Sequence, residues 1–201
     1  MLRAENHTYM GVSCGSYGPS TEKERRERQE VNIVNRSWRK TAIHEAGHAI
    51  AACVLGRRFD YVDAPHPTDL RGRSAVGEVG SSSGVNVDTE KWTITDGSAR
   101  RFAEEEAIFR LAGGLACDEC GFAGAGYEGT SNDLQVAANV LKWTSTDDAD
   151  RQARTQAVIA RAAEIVKAHR AVIEILAGEL QSRGRLQYGE VVEIFEASKT
   201  R

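Results

Sequence analysis

His44-Glu45-Ala46-Gly47-His48 sets two imidazoles four residues apart, with a carboxylate directly after the first. On an α-helix, residues i and i+4 share a face, so both rings can converge on one metal ion while Glu45 stands beside them as a base for an attacking water. H-E-x-x-H is the pattern used for metal-dependent peptide hydrolysis. Two neutral imidazoles and a carboxylate suit zinc, at Zn–N distances of about 2.0 Å, and a fourth position left to water makes such a site catalytic in form. The alternative is that both histidines are ordinary packed or surface residues and Glu45 an ordinary helix former. A third protein ligand is required, and spacing alone leaves Asp118, Glu119, Glu128 and Asp133 open.

Hydrophobic spacing shows which elements must position these groups. From Val31 to Leu55, the residues Ile33, Ile43, Ala46, Ala49, Ile50, Cys53 and Val54 recur largely at steps of three and four, with Gly56 at a C-cap position. The motif therefore sits on a helix with one buried face. Arg57 to Ala99 changes character, and its apolar pieces Phe59 to Val62 and Ala75 to Val79 predict two or three short strands. Helical spacing returns from Arg100 to Cys120, where the Gly113-Gly114 pair predicts close packing against a neighbour, since glycine weakens a helix otherwise. After a glycine-rich loop, Gly121 to Gly129, the run Thr130-Ser131-Asn132-Asp133 predicts an N-cap for a helix carrying Leu134, Val136, Ala137, Val140 and Leu141. Ile159, Ala162, Val166, His169, Ile173, Leu176 and Leu180 predict one long helix ending near Gly184, and Glu190 to Ala197 a short final one. The expected fold is mainly α with a small β-sheet (α+β). Residues 1–30 are expected to be a charged, flexible N-terminal arm and residues 31–201 the folded domain.

Thr41 to Ala49, with HEAGH at its centre, resembles the zinc helix of the FtsH-type peptidases, the proteolytic domains of ATP-dependent membrane proteases of bacteria and organelles. Three further stretches resemble the family in the same order. Leu111 to Glu119 is similar to its L-x-G-G-R-x-A-E-E segment, Thr130 to Leu134 to its segment ending N-D-L, and Arg161 to Phe195 to its C-terminal helix pair. The likeness runs from about Ser37 to Ala197. It implies an FtsH-like peptidase domain with a zincin-type HExxH helix, Asp133 as the third zinc ligand beside His44 and His48, and Glu45 as the catalytic base. It also implies that Glu119 orients a zinc-binding imidazole from behind. Two positions depart from the family. Leu115 stands in place of its Arg, which bears on local packing or subunit contacts rather than on the ligands. Cys117 and Cys120 form a C-x-x-C, read as core-facing thiols because no second pair has finger-like spacing.

Composition bounds the partners. The 201 residues, 41% hydrophobic and 27% charged, suffice for a core without disulfides. Lys and Arg number 26 against 29 Asp and Glu, a formal charge of −3, so no field holds a polyanion and nucleic acid is not expected. With no run of 18 apolar residues, no signal-like N-terminus and four cysteines read as reduced, the chain is expected to be cytoplasmic, without a membrane partner. No G-x-x-x-x-G-K-[ST] occurs, so no ATP-binding loop of that kind is expected.

The expected function is a zinc-dependent endopeptidase acting on unfolded polypeptides or peptides without its own ATPase, with an unfoldase in trans as a candidate accessory. The strands around Tyr61 and Ala75 to Val79 are expected to offer an edge to an extended peptide. The rival is a zinc-stabilised, non-proteolytic interaction or regulatory module, against which Glu45 speaks because a purely structural site needs no base. The family's six-membered rings imply a homo-oligomer, with Arg161 to Phe195 as a candidate interface. His169 is read as a core histidine, His66 as a loop residue and His7 as part of the arm.

Overall fold

Thr21 and Glu24 begin the first helix: the Glu24 amide donates to Thr21 Oγ1 at 3.3 Å, and the Thr21 amide to Glu24 Oε2 at 2.9 Å. Such reciprocal capping satisfies two donors that a helix start leaves over. The computed structural model describes residues 21–66, 78–80, 97–122 and 128–200. The chain divides into two compact units, Met1–Ile33 and Val34–Arg201. In the first, residues 22–33 are helical and exposed, and Arg26 pairs with Glu22 at 2.7 Å. The charge run of the expected arm is thus a solvated helix, beginning earlier than the predicted Val31.

That helix, α1, spans Glu22–Val54, and Lys40 to Ala52 are buried without a break. The predicted single buried face is therefore corrected to burial on every side, the condition of a helix at the centre of a core. β1 (Tyr61–Asp63), β2 (Glu78–Gly80) and β3 (Arg185–Gln187) form an antiparallel sheet in the order β2-β1-β3. Val62 faces Leu186 across the β1–β3 pair, and both are fully buried. Because β1 is the central strand, the Tyr61 segment offers no free edge, contrary to expectation; among the described residues β2 lies at an edge of the sheet. Residues 75–77 of the predicted second strand lie outside the described residues.

α2 (Gly97–Glu119), α3 (Glu128–Thr144), α4 (Asp148–Ala168), α5 (Arg170–Arg183) and α6 (Tyr188–Lys199) complete the mainly helical fold. Two predicted features are corrected. The long helix through Leu180 is broken at His169, which is partly exposed, and Ile159 of its predicted seam is 43% exposed. The predicted N-cap at 130–133 lies inside α3, which begins at Glu128, so Asp133 belongs to the helix body. Arg154, nearly buried on α4, fixes how α3 sits. Its guanidinium donates to Thr144 O at 2.8 Å, to Glu104 Oε1 at 2.9 Å and to Arg100 O at 3.2 Å, joining α2, α3 and α4. Among the described residues no helix is long and apolar enough to cross a membrane.

Candidate metal centre

One helical turn of α1 puts His44 above His48, and α3 brings Asp133 against both rings. Three donor atoms form a near-equilateral triangle: His44 Nε2 to His48 Nε2 is 3.0 Å, and each of these nitrogens is 3.1 Å from Asp133 Oδ2. Bonds of about 2.0 Å to a tetrahedral ion would space its ligands by about 3.3 Å, so the triangle has nearly the size such an ion requires. His44, His48 and Asp133 are 2%, 5% and 7% exposed.

The protonation pattern makes the same point. His48 Nδ1 lies 2.8 Å from the Phe109 carbonyl, which can only accept, so Nδ1 carries a proton and Nε2, whenever it is unprotonated, offers a lone pair. That lone pair meets a carboxylate oxygen, and two acceptors at 3.1 Å repel unless a proton or a cation lies among them. Two nitrogens and one oxygen are a donor set suited to a divalent transition metal. Among the described residues this is the one His, Cys, Asp and Glu group with metal-ligand spacing.

Burial lowers the His44 pKa to about 4, against the opposing pull of Asp133, so this ring is neutral at pH 7. Burial also works to lower that of His48, but the hydrogen bond to Asp133 and the charge of Glu45 outweigh it and raise the pKa. Burial pushes the Asp133 carboxyl up, and the two imidazoles more than offset this, holding it well below the ordinary carboxylate range. Asp133 is ionised, as a ligand must be. Glu45, on the same turn of α1, is 3% exposed.

α2 frames this triangle from one face. A Cβ built on Gly113 would fall 2.5 Å from His48 Nε2 and 2.9 Å from His44 Cε1. One on Gly47 would fall 2.6 Å from Ala116 Cβ and 2.7 Å from the Ala112 carbonyl. The two helices cross where neither has a side chain, which is the close packing predicted for Gly113. Three and four residues earlier on α2 stand Arg110 and Phe109, then Glu106. Arg110 Nη1 donates to Asp133 Oδ1 at 3.2 Å and its Nε to Glu106 Oε1 at 2.8 Å; Arg57 Nη2 donates to Glu106 Oε2 at 2.6 Å.

The structure brings together His44, Glu45, His48 and Asp133 of the predicted site. Glu119 is placed elsewhere, half-buried at the end of α2 with Arg170 Nη1 3.5 Å from its carboxylate. The resemblance implied that Glu119 orients one of the two imidazoles, and for His48 that partner is the Phe109 carbonyl. Cys117 is a buried thiol that donates to the Lys40 carbonyl at 3.6 Å, and burial pushes its pKa up to about 12. Arg57, Glu106, Phe109 and Arg110 were not singled out from the sequence. The signal available for the last three was the i, i+3, i+4 and i+7 register of Glu106, Phe109, Arg110 and Gly113, which places them on one face of α2; Arg57, outside α2, carries no such signal. No family model matches the chain, and no curated protein matches it.

Proposed function

We propose that the protein is a zinc-dependent endopeptidase with an FtsH-like peptidase fold, cytoplasmic, hydrolysing unfolded polypeptides or peptides without an ATPase of its own. The observation that carries this reading is the triangle of His44 Nε2, His48 Nε2 and Asp133 Oδ2 on an intact H-E-x-x-H turn. Zinc, when bound, supplies a Lewis acid that polarises the peptide carbonyl and brings the pKa of water from about 16 to about 7. His44, His48 and Asp133 would hold it. Phe109 locks the His48 tautomer, so that Nε2 is the nitrogen presented. Glu45 takes the proton of the attacking water and returns it to the leaving amine.

Glu45→Gln should keep zinc and lose casein hydrolysis by about 100-fold or more. Metal analysis and a casein cleavage assay on the same samples measure both. Full activity in this variant would remove Glu45 as the base. The near-complete burial of all three ligands favours a second reading, in which the metal is a structural staple in a non-proteolytic module. Zinc-loaded wild-type protein that cleaves no unfolded substrate would establish that second reading.

A further inference from the structure

We infer that Arg110 is a positioning residue that holds Asp133 to one-oxygen ligation, an inference that rests on the metal reading of the triangle. A carboxylate can offer a metal one oxygen or two. Here Oδ2 faces both imidazoles while Oδ1 is taken by Arg110 Nη1 at 3.2 Å. Arg110 is itself aimed, because its Nε donates to Glu106 Oε1 at 2.8 Å and the other oxygen of Glu106 is held by Arg57 at 2.6 Å. Glu106, the carboxylate that joins the two half-buried arginines, is 5% exposed. The Arg110 and Arg57 guanidiniums both lie over the Phe109 ring, at 5.6 and 4.8 Å, and the Phe109 carbonyl is what fixes His48. One stretch of α2 thus sets both the tautomer of one ligand and the denticity of another. With Oδ1 occupied, a three-ligand ion keeps a position open; with Oδ1 released, Asp133 can close it.

The test uses full-length protein loaded with cobalt(II), whose visible absorption is intense in four-coordinate sites and weak in five-coordinate ones, together with competition measurements of zinc affinity. Arg110→Met preserves the side-chain stem against Phe109 and removes the donor. The expected result is weaker visible absorption and a zinc affinity lower by about tenfold or more. If Arg110→Met loses the wild-type circular dichroism, Glu106→Gln, which keeps the arginine and slackens its aim, is held to the same criterion. An unchanged cobalt spectrum in the folded variant overturns the inference and leaves the metal site standing. Wild-type protein that takes up neither cobalt nor zinc overturns both together.

Discussion

At the residue scale, the sequence made the ligands legible because the helical repeat alone ties His44 to His48. Asp133 was not separable from Asp118, Glu119 and Glu128 by spacing, since a ligand 85 positions away is delivered by tertiary packing; resemblance selected it, and the structure places it in the triangle. The charged relay behind it was invisible for a related reason. Arg57 and Glu106 are 49 positions apart, and a charge on a helix reads as solvated unless its partner is known. Burial raises the Glu106 pKa and the Arg57 and Arg110 guanidiniums more than offset it, so the carboxyl is held below its ordinary value. A lowered carboxylate adds stability above its unfolded-state pKa, about 4.3, and loses it as pH falls through the lower folded-state value. In metal-free protein, Glu106→Gln should cost about 3 kcal/mol at pH 7. Urea denaturation should show that gap narrowing between pH 5 and pH 3, whereas a gap independent of pH would mean the ionised pair adds nothing.

At the element scale, helix identity was well signalled and helix limits were not. Polar residues 130–133 look like a cap, yet α3 starts before them and Asp133 faces inward. The three- and four-residue apolar spacing runs through His169 because both α4 and α5 lay their apolar sides on the same core: Val166 and Ile173 are buried on either side of the break. β3 has a single buried residue, Leu186, and owes its existence to pairing with β1. Glycine at the α1–α2 crossing is the element-level feature on which the site depends. Gly113→Ala should push the His48 ring aside, lower zinc affinity and cost about 1–3 kcal/mol through overpacking. Gly178→Ala, in a helix where an added Cβ meets nothing within 4 Å, should instead stabilise by about 0.5–1 kcal/mol. Calorimetry on the pair separates the crossing from helix propensity, and equal effects at both positions would reject the steric account.

At the scale of the whole molecule, the triangle joins α1 to α3 through side chains that the unfolded chain holds far apart, so on the metal reading binding energy would become folding energy. The metal-free protein already holds the Asp133 carboxylate and the two imidazole nitrogens within 3.1 Å of one another, so an ion would meet all three groups in place. Free zinc at 1,000 times its dissociation constant adds about 4.1 kcal/mol, which for a chain of this size raises Tm by about 8–16 °C. A chelator should reverse the rise, and Asp133→Asn should abolish most of it. Glu45→Gln should leave it intact, because on the peptidase reading Glu45 would serve the substrate and not the ion. A wild-type melting curve indifferent to both zinc and chelator would mean the triangle binds no metal, and the peptidase reading would fall with it.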